Sequence, residues 1–267
     1  MTLFTRRGAL IGSATGAGLM FAGCGKITGV DALTGGASFA AVMAASEDWT
    51  LASQRFLLSG GAMAREFDVR DISPRFKANG TFNPGGEEYS RHVAEGFANW
   101  RLRIDGHVTR PLSLSVAELR RLPARTQITR HDCVEGWSAI GQWTGVQLGL
   151  LLKAAGVLPS ARYAVLYCAD NLEGEPAKGG MQSPRQYYES IDLIDARHPQ
   201  TLIAYAMNGQ PLDVAHGAPL RLRVERQLGY KHAKYVRRIA LVPSLSGIAG
   251  GRGGYWEDRG YEWYAGI

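Results

Sequence analysis

The 267-residue sequence predicts an α+β fold in one main domain, on three observations. Short alternating or apolar runs are mixed irregularly with short capped helices, unlike the regular alternation of βαβ folds. Gly supplies 34 residues without a G-X-Y period or a longer repeat, so tight turns are expected and collagen, solenoids and propellers are excluded. No compositional break follows residue 60. Hydrophobic residues at 45% and charged residues at 20% exclude a wholly disordered chain.

From the N-terminus, residues 1–25 form a leader. Thr5-Arg6-Arg7-Gly8 precedes an uncharged, Gly-rich run to Gly25, the pattern of a twin-arginine export signal. The run is short and Gly-rich for a transmembrane helix. Phe21-Ala22-Gly23-Cys24 has the form of a lipobox, with Cys24 as the lipidated residue. These readings place the protein in the periplasm or on the outer face of the membrane, lipid-anchored at Cys24. Residues 26–60 then hold a Gly/Ser/Thr/Ala-rich tether (26–36) and a helix (38–58) with Trp49, Phe56 and Leu57 on its apolar side. Residues 61–267 are the main domain. Its first landmark is a long loop over 71–90, carrying Pro74, Gly80, Pro84, Gly85 and Gly86.

Order sharpens from residue 99. Residues 100–104 alternate as a strand closed by Asp105-Gly106. Ser115 with Glu118 makes a capping box for a short helix ending before Pro123. Residues 126–130 are a strand. Thr144 caps a helix through Val146, Leu148, Leu151, Leu152 and Ala155, stopped by Gly156. Residues 163–168 are an apolar, buried strand. Ser190 caps another short helix, with Pro199 beyond it. Residues 201–207 are a strand leading into an Asn208-Gly209 hairpin turn, and residues 220–224 and 235–242 are further strands. Tyr255-Trp256 and Tyr261-Glu262-Trp263-Tyr264 either cap the domain or line the substrate funnel, and the cap is the preferred reading.

Three cysteines are too few for a disulfide framework. Cys168 in its apolar strand reads as a small core residue. The formal net charge of +6 comes with no basic run long enough to favour nucleic acid. The densest chemistry is Arg130-His131-Asp132-Cys133-Val134-Glu135-Gly136-Trp137-Ser138, a thiol at the end of a strand among charged side chains. Cations beside a thiol favour the thiolate, the form that binds metals and attacks electrophiles. From the residues alone, a reactive or metal-binding Cys133 and an inert buried one both stand. Arg221, Arg223 and Lys234 by themselves read most simply as a solvated strand face.

Cys133-Val134-Glu135-Gly136-Trp137-Ser138, followed by Trp143-Thr144-Gly145 and a Leu-rich helix, resembles the sulfite oxidase superfamily of molybdopterin enzymes, on the side of its methionine-sulfoxide reductase subunits. Four patches occur in the family's order: Phe76-Lys77-Ala78-Asn79-Gly80, the Cys133 segment, His216-Gly217-Ala218-Pro219-Leu220-Arg221, and Gly229-Tyr230-Lys231-His232-Ala233-Lys234. The resemblance runs from about Asp71 to Ile267. It implies a mixed α/β molybdopterin-binding domain of the sulfite oxidase type, without that type's C-terminal dimerisation domain. It also implies a molybdenum–molybdopterin cofactor with Cys133 as the protein ligand to the metal. Asn79, Gly80, Asp170, His216, Arg221, Lys231, His232, Ala233 and Lys234 would hold the pterin and its phosphate, His216 standing where the reductases have Asn. Glu135 and Trp137 would shape the substrate pocket, and Arg130 would steer anions or hydrogen-bond an oxo group.

The implied function is oxygen-atom transfer at a small sulfur or nitrogen centre, of the sulfoxide-reductase type. Sulfite-oxidase-like oxidation, a thiol hydrolase using Cys133 and His131, and a non-enzymatic ligand-binding lipoprotein are the alternatives. His131 and Cys133 are two apart, so on an extended segment they share a face. Neither haem nor NAD is expected; no Cys-x-x-Cys-His occurs in the sequence. Electrons would come from a separate carrier or membrane cytochrome, nucleic acid is not a partner, and the protein is expected to be a monomer.

Overall fold

A computed structural model describes residues 46, 49–56, 61–172 and 186–267. The chain divides into residues 1–50 and 51–267. Of the first unit, Ser46, Trp49 and Thr50 are helical, with the Thr50 hydroxyl donating to the Ser46 carbonyl. The leader, Cys24, the tether and most of the helix expected over 38–58 lie outside the described residues; residues 51–56 are helical. The second unit carries everything that follows.

Its elements are α1 (Gly86–Ala94), β1 (Arg101–Gly106), β2 (Leu112–Ser115), α2 (Val116–Arg121), β3 (Ala124–Asp132), β4 (Ser138–Gln147), α3 (Leu148–Ala155), β5 (Tyr163–Asn171), β6 (Gln186–Asp192), α4 (Leu193–Ala196), β7 (Thr201–Met207), β8 (Gln210–Pro211), β9 (Arg221–Val224) and β10 (Val236–Val242). One five-stranded sheet runs β2-β1-β10-β5-β6. The other runs β3-β4-β7-β8, with β9 also on β7. In the first sheet β1 lies parallel to β10, pairing Ile104 with Ile239, while β10 and β5 are antiparallel. Leu102 and Ile104 alternate inward from β1, and the continuous apolar run of β5 is buried residue after residue, as expected of a strand covered on both faces.

The helices sit where sequence logic puts them, with three adjustments. The Ser115–Glu118 capping box forms, Ser115 Oγ accepting from the Glu118 amide at 3.1 Å. Leu148, Leu151, Leu152 and Ala155 turn one face of α3 into the core, and Gly156 ends it at φ 69°. Thr144, however, is a β4 residue and the α3 cap position is Gln147. Thr144 and Val146 take up strand pairing with β7, which overrides their local helix reading. Ser190 likewise lies in β6, accepting a hydrogen bond from Trp263 Nε1 at 2.8 Å, and Asp192 caps α4 instead. The loop expected over 71–90 ends early, because α1 starts at Gly86 with Glu87 and Glu88 favourably placed in its first turn.

Gly145 is required by the close approach of β7. A Cβ there would run into the Ile203 carbonyl oxygen and the Ala204 Cα, at the point where the β4–β7 register shifts. Asn208 (φ 49°) and Gly209 (φ 76°) make the expected tight turn between β7 and β8.

Candidate active site

The β3–β4 hairpin presents the thiol. Alternation along β3 turns Gln127, Thr129 and His131 inward, and Cys133 continues the same parity into the turn. Asp132 pairs with Ser138 to close the hairpin, the Cys133 amide donates to the Trp137 carbonyl at 2.9 Å, and Gly136 supplies φ 85°. The thiol is buried, and burial pushes its pKa up. The Glu135 amide and Lys77 pull the other way, while the Glu135 charge adds to the rise. The cation expected to help from Arg130 is spent elsewhere, because its guanidinium pairs with Asp132 at 2.9 Å and is mostly exposed.

Behind Cys133 lies a concentration of buried positive charge. Arg221 and Arg223 alternate on one face of β9, both fully buried, with their guanidinium carbons 4.8 and 4.3 Å from the centre of the Trp143 ring. The solvated-face reading of these residues is therefore overturned. Arg223 is neutralised by Glu225, its Nε donating at 2.9 Å and Nη2 at 2.5 Å. Arg221 has no such carboxylate: Nη1 donates to the His216 carbonyl at 3.0 Å, while Nε and Nη2 are buried without partners. Burial and the neighbouring Arg223 pull its pKa down to about 9. Lys234 donates to the Ala215 carbonyl at 2.9 Å and to the Thr81 carbonyl, and its pKa is also lowered, by burial first and Arg221 second. Asp170, across from it, is pushed up by burial.

The two buried histidines have opposite unpaired atoms. His131 Nδ1 meets Arg223 Nη1 at 3.1 Å, so Nδ1 is the acceptor and the proton sits on Nε2, which has no partner. His232 Nε2 lies 3.0 Å from the Gln227 carbonyl and therefore carries its proton, leaving Nδ1 a free acceptor. Both rings are held neutral by burial and by Arg223. His131 is thus committed to Arg223 and is not paired with the Cys133 thiol, so the Cys–His hydrolase arrangement is not formed.

A single cavity gathers Asn79, Gly80, Cys133, Glu135, Asp170, His232 and Lys234 from the expected set, drawn from four separate segments; Arg221 is not in its lining. Trp137 stands beside it, its Nε1 donating to Glu135 at 3.0 Å; Lys77 reaches the same carboxylate at 3.2 Å, and these two bonds hold Glu135 ionised. His216 is turned to Asp213 (2.7 Å) and the Phe76 carbonyl (3.1 Å), so both its nitrogens are engaged by protein. Ala233 is buried, its carbonyl accepting from the Leu222 amide. Lys231 is fully buried between Glu189 and Glu257, at 2.5 Å from each, and is not in the cavity lining. The cavity also has Thr81, Leu172 and Tyr187, which sequence reasoning passed over, together with Trp256 and Tyr261, for which the cap is preferred to the funnel on sequence alone. The clustering of aromatics near residue 260 is the sequence signal for the last two.

An anion fits this arrangement. Arg221 offers two unmet buried donors, Lys234 and Arg221 are cations without a carboxylate within ion-pair distance among the described residues, and His232 offers an acceptor to a ring N–H. A metal would find one protein thiolate here. No three His, Cys, Asp or Glu side chains converge among the described residues, so its remaining ligands would come from a bound group, as in a dithiolene-held centre.

Comparison with known proteins gives the following. The model of the oxidoreductase molybdopterin binding domain matches residues 90–246. The chain is 34% identical over 244 residues to a putative protein-methionine-sulfoxide reductase subunit, YedZ1, of Azospira oryzae, covering 91% of this chain and 83% of that one. It is 35% identical over 160 residues to the protein-methionine-sulfoxide reductase catalytic subunit MsrP of Xanthomonas campestris pv. campestris, covering 60% of this chain and about half (48%) of that protein. Among solved structures, the sulfane dehydrogenase SoxCD of Paracoccus pantotrophus is similar over 55% of this chain and 39% of that chain, at 25% identity and a TM-score of 0.47.

Proposed function

This chain belongs to the oxidoreductase molybdopterin-binding family, within the sulfite oxidase superfamily; from that premise we propose that it reduces sulfoxides, methionine sulfoxide among them. The observation that carries the reading is a strand-end thiol and Lys234 lining one cavity, with Arg221 outside its lining but buried with two unmet donors. The reductase names of the relatives support the direction of the reaction.

When bound, a molybdenum–pterin group supplies two-electron oxygen-atom chemistry, by which a sulfoxide, two electrons and two protons give a thioether and water. Cys133 would hold the metal, losing its proton on binding. Arg221 and Lys234 would hold the phosphate; His232 Nδ1 and the Asn79–Gly80 segment would orient the pterin. Glu135, kept ionised at the cavity's exposed side by Trp137 and Lys77, would place a fixed negative charge at the mouth of the site. Electrons are delivered by a separate carrier or membrane cytochrome. The protein works as a monomer after export by the twin-arginine route, anchored through Cys24, with the Arg6-Arg7 leader as the support for that location. Among the described residues no helix is long and apolar enough to cross a membrane.

The test is molybdenum and pterin analysis of protein purified after export, followed by turnover of sulfoxides, N-oxides and sulfite with artificial electron donors and acceptors. About one molybdenum per chain with sulfoxide reduction supports the proposal. A molybdenum-loaded protein that oxidises sulfite and reduces no sulfoxide overturns it.

A further inference from the structure

The cavity lining has a second part that none of the cofactor chemistry uses. Tyr230, Trp256 and Tyr261 line it beside the thiol. Trp256 and Tyr261 stack at 5.3 Å with 29° between their planes, and Tyr230 meets Tyr261 edge-on at 5.2 Å. Tyr230 is almost fully buried while Tyr261 is 38% exposed, so the wall runs from the interior to the surface.

The wall is held from behind by charge. Lys231, next to Tyr230, sits between Glu189 and Glu257, and Glu257 is next to Trp256. The three ionisable side chains are buried, and Gly254 is bare at the place where any Cβ would strike the Glu257 carboxylate. Burial of such a cluster is poor value for stability, and its best-attested use is to fix one arrangement. Two further bonds fix the same rings: Tyr187 donates to the Tyr230 carbonyl at 2.5 Å, and the Tyr230 hydroxyl to the Glu262 carbonyl at 2.7 Å. A strand, a loop and the C-terminal segment are thus pinned together directly behind three rings that face a cavity.

We propose that Tyr230, Trp256 and Tyr261 form a substrate subsite for the uncharged alkyl or aryl arm of a sulfoxide, and that Lys231, Glu189 and Glu257 are its positioning residues. Aromatic faces and edges favour polarizable sulfur and apolar carbon. The wall itself brings no charged side chain into the cavity, and its partial exposure leaves room for an arm attached to something larger, such as a methionyl side chain. This inference deepens the reductase reading and rests on it for the choice of ligand.

The test compares dimethyl sulfoxide with methyl p-tolyl sulfoxide, binding each to the oxidised, molybdenum-loaded full chain by calorimetry or ligand-observed NMR. The unaltered protein is expected to bind the aryl sulfoxide about tenfold or more tightly than dimethyl sulfoxide, the scale of one or two good sulfur–aromatic and ring contacts. Trp256→Ala and Tyr261→Ala are each expected to shrink that ratio about threefold, and together to abolish it. Lys231→Met is expected to shrink it without touching a ring. Since that variant removes a buried charge and risks unfolding, the half-exposed Tyr261→Ala carries the decision. An unaltered protein without the preference, or a Tyr261→Ala, Trp256→Ala double variant that keeps it, overturns the subsite. A retained preference in an enzyme that reduces no sulfoxide would instead count against the reductase reading alone.

Discussion

Replacing Arg221 by Met should have opposite effects on the cofactor-free and cofactor-loaded protein. The pull of its pKa from the ordinary arginine value down to about 9 amounts to about 5 kcal/mol held against the charge, at about 1.4 kcal/mol per pH unit. Methionine keeps most of the volume and removes that cost. It also removes the bond to the His216 carbonyl, worth about 1.5–3 kcal/mol, and the stacking on Trp143, worth about 1–2 kcal/mol. The balance leaves the cofactor-free variant as stable as the parent or up to about 2 kcal/mol more so. In the loaded protein Nε and Nη2 would each lose a charge-assisted bond, together about 3–6 kcal/mol, so cofactor retention falls by two to four powers of ten. The assay is urea unfolding of protein made in a pterin-deficient host, beside molybdenum and pterin per chain after dialysis of the loaded form. A variant that is strongly destabilised without cofactor, yet keeps full cofactor when loaded, would show Arg221 to be a structural strut and refute the anion-site argument.

Other expected outcomes follow from single features. Cys133→Ser should stay folded by circular dichroism but lose molybdenum or all turnover, because an alkoxide is a harder ligand than a thiolate; full activity would remove Cys133 from the metal. Lys234 has a native pKa below its ordinary 10.5, so between the two values the unfolded chain binds the extra proton. Cofactor-free protein should therefore gain stability as pH rises towards 10.5, with a slope that Lys234→Met lowers, Arg221 supplying its own share above about pH 9, read from urea midpoints at a series of alkaline pH values. Gly145→Ala should cost upwards of about 2 kcal/mol, since a Cβ meets β7 backbone and the paired strands must separate, and thermal unfolding within a degree or two of the parent would contradict the packing described.

The parts of the fold that follow local rules were legible in the sequence. The β7 strand was read over its whole length, the Asn208-Gly209 turn at its residues, and the Ser115–Glu118 box at both partners. What failed was local reading against tertiary pairing: Thr144 and Ser190 look like helix caps, but neighbouring strands claim both. At the site, the hairpin thiol and the Lys234 and His232 positions could be found from motif residues. Lys231 could not be told from Lys234, because its commitment to Glu189 and Glu257 depends on partners 42 and 26 residues away. Tyr261 carried no signal that it faces a cavity rather than a core, since both uses call for the same residue type.

The wall formed by Trp256 and Tyr261 also sets an order of events in folding. Cys133, Asp170 and the Asn79 loop come from segments far upstream of it, and the cavity lacks one side until the segment carrying Trp256 and Tyr261 packs onto them. Until then Lys231 lacks Glu257 as its second carboxylate. A chain cut short before Trp256 would keep the residues that bind and lose the wall that encloses, so whatever it took up would escape more readily.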